Sequence, residues 1–282
     1  MVSSVAKRLG ESGINESELE AELIISHVLG ETIGRVRAMA IVDEDLDQEQ
    51  LQKVDEIADA RCERIPLQHL TGKAPFRTIE LDVGPGVFIP RPETEVVTQF
   101  AIDELLADAS ESPIAVDFCT GSGAISLAIV NEVPHARVWA LELETNAHAW
   151  ASRNVERLGL GRVSLLQADA TKPTSALNAI VGLATVVISN PPYIPSDAIP
   201  IDPEVRDHDP GAALFSGVDG LDTIRGISET AKPLLKPGGL LVLEHAEHQG
   251  ASVRNILLGA GWNSVSTHQD FTRRDRVTVA RT

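Results

Sequence analysis

The apolar positions of the chain change period near residue 75, and that change divides it. Up to there they repeat as helices do. Asn15 and Glu18 form a capping-box pair, and Ala21, Ile24, Ile25 and Val28 then recur at i, i+3, i+4 and i+7 before Gly30, which predicts an amphipathic helix. A second helix is predicted from about Asp47 to Arg64, with Leu51, Val54, Ala58, Cys62 and Ile65 on one stripe and Pro66 as its stop. Neither helix carries a cluster of catalytic residue types. Residues 1–75 therefore read as a small helical bundle for packing or partner contact, and as the candidate substrate-recognition unit.

Between residues 76 and 90 the period becomes two. Ile79, Leu81 and Val83 alternate with polar residues, Gly84-Pro85-Gly86 supplies a turn, and Val87-Phe88-Ile89 follows, which predicts a hairpin linking two domains. Pro90-Arg91-Pro92-Glu93-Thr94-Glu95 then pins the start of a helix running to about Asp108, or alternatively lines a site as a loop. Over residues 91–282 strands are predicted at Ile114–Phe118, Arg137–Glu142, Val163–Gln167, Thr185–Ser189 and Gly239–Glu244, with helical segments between them. This alternation implies an α/β fold with a doubly wound, mostly parallel sheet. After a helix near Gly250–Ala260, the short link Asp270–Asp275 between Ser264–His268 and Arg276–Arg281 fits an antiparallel hairpin better than a crossover.

Composition narrows the classes. A chain of 282 residues, 43% of them apolar, supplies a core for a large and a small domain. No apolar run reaches the roughly 18 residues of a membrane span, and the basic-then-apolar start of a signal peptide is missing, so a soluble cytoplasmic protein is expected. Cys62 and Cys119 lie far apart and make neither a zinc signature nor a disulfide framework. A net charge of -17 disfavours broad nucleic-acid binding, which depends on Lys and Arg displacing counterions, and suits a basic or RNA-binding protein partner.

Candidate chemistry gathers at the strand ends. The first strand runs into Asp117-Phe118-Cys119-Thr120-Gly121-Ser122-Gly123-Ala124, a turn whose glycines let backbone approach a ligand. The third glycine of the dinucleotide fingerprint is absent, which disfavours a pyrophosphate site. Glu142, about twenty residues beyond the glycines, ends the second strand where an acid can accept from ribose hydroxyls. Asp169 ends the third, in reach of an adenine amine. Together they imply an adenosine-containing ligand across the carboxyl ends of these strands. The fourth strand delivers Asn190-Pro191-Pro192-Tyr193, in which two prolines hold the backbone extended. The Asn190 side-chain oxygen and the Pro191 carbonyl then offer two fixed acceptors to a planar NH2 group. Read alone, the tetrapeptide is equally a proline-rich loop.

With these residues in place the chain resembles the class I S-adenosylmethionine-dependent methyltransferases that modify a planar nitrogen, whose seven-stranded sheet ends in a hairpin. Asn-Pro-Pro-Tyr is shared with DNA and RNA amine methyltransferases. Pro66-Leu67-Gln68-His69-Leu70-Thr71-Gly72, Phe88-Ile89-Pro90-Arg91-Pro92-Glu93-Thr94-Glu95 and Leu243-Glu244-His245 narrow the resemblance to the HemK/PrmC family of protein-(glutamine N5) methyltransferases. The resemblance implies S-adenosylmethionine as cofactor, and as substrate the glutamine of the Gly-Gly-Gln motif in class 1 peptide chain release factors. It implies a cofactor site from Asp117, Cys119, Thr120, Gly121, Ser122, Gly123, Glu142, Asp169, Ala170 and Asn190. Asn190, Pro191, Pro192 and Tyr193, with Arg91 and Pro92, would hold the substrate. Cys119 stands where the family more often has glycine, so its side chain must point away from the ligand. Ala170 stands where an aromatic residue packs on adenine.

An amide nitrogen is a poor nucleophile, so orientation on the platform is expected to supply most of the catalysis, with in-line displacement and no covalent enzyme intermediate. No metal is expected: His245 and His248 with Glu244 and Glu247 lack the HExxH order. Asp207-His208-Asp209 is expected to be an exposed loop, and Arg273, Arg274 and Arg276 a solvated hairpin. A monomer acting without nucleic acid is expected. A nucleic-acid adenine methyltransferase, a ribosomal-protein glutamine methyltransferase and a non-catalytic adenosine-binding protein are the rival readings.

Overall fold

A computed structural model describes residues 1–42, 44–158 and 161–282. In chain order, helices α1 (Val2–Glu11), α2 (Ser17–Leu29), α3 (Ile33–Ile41), α4 (Gln48–Cys62) and α5 (Leu67–Thr71) come first. Strands β1 (Lys73–Phe76) and β2 (Ile79–Asp82) and helix α6 (Pro92–Ala107) follow. Then come β3 (Ile114–Phe118), α7 (Ala124–Glu132), β4 (Arg137–Glu142), α8 (Thr145–Leu158), β5 (Val163–Gln167) and β6 (Ala184–Ser189). The chain ends with α9 (Pro203–His208), α10 (Gly211–Leu214), α11 (Asp222–Ala231), β7 (Leu235–Glu244), α12 (Gly250–Gly259), β8 (Asn263–Gln269) and β9 (Asp275–Arg281).

Two compact units result. One comprises Met1–Lys73 with Pro200–His208, the other Ala74–Ile199 with Asp209–Thr282. The helical unit packs around Leu9, Ala21, Ile24, Ile25, Val54 and Ala58. Its α4 starts where the pattern predicts, at an Asp47–Gln50 capping box. The expected Asn15 cap does not form: α2 begins at Ser17, with Glu16 before it. The stripe of α4 differs too. Leu51 is exposed and Arg61 is buried in its place, because its guanidinium bonds Glu20 at 2.6 Å and Glu204 of α9 at 2.8 Å. Arg64 reaches the other Glu204 oxygen at 2.7 Å. Burial alone would raise Glu204, but hydrogen bonds to Asp202, Arg64 and Arg61 hold its carboxyl down at about 2.

The larger unit is a seven-stranded sheet in the order β5-β4-β3-β6-β7-β9-β8. β3 to β7 pair in parallel, and β9 lies antiparallel to both β7 and β8. The doubly wound sheet and its terminal hairpin are thus those the sequence predicts. Successive strand residues face opposite sides: Ala115, Val186, Ile188 and Val242 pack with α6, α7 and α8, while Val116, Val187, Leu241 and Leu243 pack with α11 and α12. The linker hairpin is displaced from its expected position. β1 and β2 form it around a turn at Arg77, held in the left-handed region at φ 50°, and Val87–Ile89 forms no strand. Val87 and Ile89 are instead buried in the core beside α6, so their apolar character serves packing and not pairing.

Candidate active site

Sheet register decides which residues meet. Phe118 pairs with Leu141 and with Ser189, and Ser189 pairs with Leu243. The next residue on each strand is Cys119, Glu142, Asn190 and Glu244, so these four stand in one row at the carboxyl edge. The chain order reverses there, since β4 lies on one side of β3 and β6 on the other. In open α/β sheets that switch point is where ligands bind.

The turn after β3 is built on Asp117. Its Oδ2 accepts from Thr120 Oγ1 at 2.5 Å, from Ser126 Oγ at 2.7 Å and from Ser126 N at 3.2 Å, while Oδ1 is buried without a partner among the described residues. Burial pushes this carboxyl up to about 6 against those hydrogen bonds. Asp117 and Thr120 thus face inward and brace the turn. Ser122 is also buried, its carbonyl held by Asn154 Nδ2 at 3.0 Å. The top of the turn is different: Gly121 has φ 59°, and a Cβ there would meet nothing within 4 Å. Gly123, at φ 86°, caps α7. Cys119 takes φ 59° without being glycine, a conformation costing an L-residue about 1–2 kcal/mol. Its side chain packs with the α11 and α12 side of the sheet, and burial beside Glu142 pushes its thiol up to about 12.

Glu142 is nearly buried, and each of its oxygens accepts one backbone N–H, Oε2 from Gly121 at 2.8 Å and Oε1 from Glu144 at 2.9 Å. Desolvation raises its pKa, against these bonds. Each oxygen keeps a second lone pair for a ligand. β5 ends at Gln167, short of Asp169, and the Asp169 carboxylate is engaged locally. Its Oδ1 takes Thr171 N at 2.9 Å and Thr171 Oγ1 at 2.6 Å, and Oδ2 meets Lys172 at 2.8 Å. Ala170 is buried in the same core cluster as Phe118 and Leu141, with its carbonyl taken by Thr230 Oγ1 at 2.6 Å.

At the end of β6, Asn190 Nδ2 donates to Thr94 Oγ1 at 3.1 Å, and Thr94 Oγ1 donates to Glu244 Oε2 at 2.7 Å. Tyr193 Oη points at Glu244 Oε1 from 3.4 Å. Burial and the neighbouring Glu244 carboxylate push the Tyr193 phenol above its ordinary value. Among the described residues nothing donates to Asn190 Oδ1 or to the Pro191 carbonyl. Pro191 is buried and Pro192 half-buried. The Tyr193 carbonyl accepts from Gln249 Nε2 at 2.8 Å, which locks the backbone beyond the prolines. Pro92 opens α6, and Arg91 before it bonds Asp209 at 2.8 Å and covers the Phe88 ring at 5.0 Å. Of Asp207-His208-Asp209, expected as an exposed loop, Asp207 is exposed but lies with His208 in helix α9, while Asp209 is buried and pairs with Arg91. His245 has both ring nitrogens engaged, by the Ala246 carbonyl at 2.9 Å and Thr278 Oγ1 at 2.8 Å.

Residues 1–72 match the PrmC N-terminal domain family, and residues 79–200 the methyltransferase small domain family. The release factor glutamine methyltransferase of Streptomyces coelicolor is 44% identical over 282 residues, covering 99% of this chain and 96% of its own length. That of Bifidobacterium longum is 41% identical over 288 residues, covering 99% and 98%. The chain belongs to the release factor glutamine methyltransferase family. A more distant member, from Moorella thermoacetica, is 36% identical over 281 residues, with 99% and 96% covered.

Within this release factor glutamine methyltransferase family fold, Thr94, Glu244 and Gln249 join the site only through the folding of the chain. Thr94 and Glu244 lie 150 residues apart. The available signal was an acid ending an otherwise apolar strand, Leu240 to Leu243. Buried acids at such positions need a partner, and Thr94 is one.

Proposed function

We propose that this chain transfers the methyl group of S-adenosylmethionine to the side-chain N5 of the glutamine in the Gly-Gly-Gln motif of class 1 peptide chain release factors. Family membership supports the reaction and the substrate. The observation that carries the amide is a pair of acceptors without a donor among the described residues, Asn190 Oδ1 and the Pro191 carbonyl, on a backbone fixed by two prolines and by Gln249.

The carboxyl edge fits the cofactor. Open space over Gly121 admits a ligand against the backbone, and the spare lone pairs of Glu142 suit two ribose hydroxyls. Cys119, Ser122 and Gly123 shape the same wall, with Asp117 and Thr120 bracing it, and Asp169 and Ala170 close the adenine end. S-adenosylmethionine supplies, when bound, a methyl on a positively charged sulfur that leaves as a neutral thioether. Asn190 and Pro191 accept the two amide hydrogens of the glutamine, which fixes the nitrogen in place and aims its electron density at the methyl. Pro192 and Tyr193 wall the amide plane, and Arg91 and Pro92 border the entry. Most of the rate then comes from orientation. The extra proton leaves to water after transfer, so no dedicated base is needed. The enzyme acts as a cytoplasmic monomer on a protein and without nucleic acid, consistent with its charge of -17.

Mass spectrometry of a purified class 1 release factor, incubated with the protein and labelled S-adenosylmethionine, tests this. One added methyl on the Gly-Gly-Gln glutamine is expected. Methyl on ribosomal protein, DNA or RNA with an unmodified release factor would overturn it. Asn190→Ala is expected to retain cofactor binding and lose transfer by about 100-fold or more, the scale seen when an orienting polar group is removed.

A further inference from the structure

We propose that Thr94, backed by Glu244, is the positioning residue that decides which end of the Asn190 amide faces the substrate. The inference deepens the glutamine-amide reading and rests on it.

An asparagine amide has an acceptor end and a donor end of nearly equal shape, and only the acceptor end can take an N–H from the substrate. Something must break that symmetry. Thr94 has one hydroxyl proton. With Glu244 ionised, that proton goes to Glu244 Oε2 at 2.7 Å, the stronger acceptor, and leaves the hydroxyl as an acceptor only. It can then take Asn190 Nδ2, at 3.1 Å, and cannot serve Asn190 Oδ1. Oδ1 is thereby turned to the open side. Thr94 is 4% exposed and Glu244 2% exposed, so water does not compete for either.

The chain of bonds has a direction, and protonating Glu244 reverses it. With the added proton on Oε2, the carboxylic acid donates to Thr94 Oγ1, the Thr94 proton swings to Asn190, and the amide then presents Oδ1 inward and Nδ2 outward. A donor would then meet the donors of the substrate. The groups facing Glu244 are Thr94 and Glu93 from α6, Tyr193 beyond β6, and Arg276 and its neighbour His245 at the β7–β9 edge. Burial pushes the Glu244 carboxyl up to about 7; Glu93 reinforces the shift, while Arg276 and the Thr94 and Tyr193 bonds oppose it. Acidification through neutrality therefore shuts the site. Arg276 is held in place by Asp270 at 3.5 Å and by the His245 carbonyl at 3.2 Å.

Steady-state kinetics with a purified class 1 release factor, calorimetric S-adenosylmethionine binding, and the side-chain amide signals of Asn190 by 15N NMR are to be followed with pH in the full chain. Thr94→Val is expected to lower kcat by about 30-fold or more with cofactor affinity within about twofold, and Thr94→Ser to recover most of the loss, as for a group that orients another. The wild-type kcat profile is expected to fall on the acid side of a midpoint near 7, and the Asn190 amide signals to shift over the same range. Glu244→Gln, which cannot titrate, abolishes both. The inference is overturned if Thr94→Val keeps kcat within about threefold of wild type, if Thr94→Ser is as impaired as Thr94→Val, or if Glu244→Gln leaves either transition in place. The NMR arm needs no substrate. Should wild type leave the release factor unmodified while the Asn190 transition appears, the substrate reading falls and the positioning role stands. Should Thr94→Val misfold, the Glu244→Gln comparison still decides.

Discussion

Gly121 donates its backbone N–H to Glu142 Oε2 across 2.8 Å, tying the turn after the first sheet strand to the acid that ends the second. The bond sets turn and acid at a fixed separation before any ligand arrives. Glu144 N–H occupies the other oxygen at 2.9 Å. Glu142→Gln cannot satisfy both donors, because its Nε2 must face one of them, and a buried unpaired donor costs about 1–3 kcal/mol. Calorimetry is expected to show S-adenosylmethionine affinity reduced by about 10-fold or more. An unchanged dissociation constant would remove Glu142 from the cofactor wall.

Gly220 has φ 78°, and a Cβ on it would lie 2.2 Å from the Tyr193 carbonyl and 2.9 Å from Gln249 Nε2. Gly220→Ala must therefore move the Gln249 side-chain bond to the Tyr193 carbonyl, which holds the platform from behind. Loss of transfer is expected to exceed the loss of stability, with the strain itself costing about 1–2 kcal/mol. Comparing kcat with thermal melting separates the two, and a variant that melts early yet transfers at the wild-type rate contradicts the assignment.

Cys119 is a poorly reactive thiol, as its surroundings dictate. Its pKa, pushed up to about 12 by burial next to Glu142 and Asp117, leaves little thiolate near neutral pH. Peptide mapping after iodoacetamide treatment at pH 8 is expected to find it largely unlabelled in the folded protein, with labelling rising as pH is raised and appearing promptly after denaturation. Fast labelling of the native protein at pH 8 would refute this account.

Glu204 bonds both Arg61 and Arg64, and the Arg61 side chain is only 7% exposed. Glu204→Ala leaves Arg61 with Glu20 and the Ile65 carbonyl. A destabilisation of about 2 kcal/mol is expected for the helical unit, within the range for stripping one partner from a buried charge. Denaturant melts measure it. Glu204→Gln, which keeps one acceptor, is expected to fall between wild type and alanine.

Much of the larger unit was legible because buried parallel strands read as continuous apolar runs, and Val116, Val187 and Leu241 sit in such runs. The smaller unit was harder. α1 and α3 were missed, since α1 is short and rich in polar residues and α3 has only Val36 and Met39 buried. Val87 and Ile89 misled because an apolar pair buried against a helix looks like an apolar pair in a strand. At the site, the residues at strand ends could be named one by one, but their standing in a row follows from sheet register. Register depends on pairings between distant segments. Thr94 escaped notice for a related reason: a threonine in the first turn of a helix is unremarkable until Glu244 and Asn190 are placed beside it.

The helical unit is discontinuous in sequence, since Pro200–His208 belongs with Met1–Lys73. A chain cut to begin at Ala74 keeps Glu204 and loses both arginines that neutralise it. Exchange of this unit between relatives therefore takes two grafts, and a single crossover near residue 73 separates an acid from its counter-charges. Sequence variation at Arg61, Arg64 and Glu204 is accordingly expected to be inherited together.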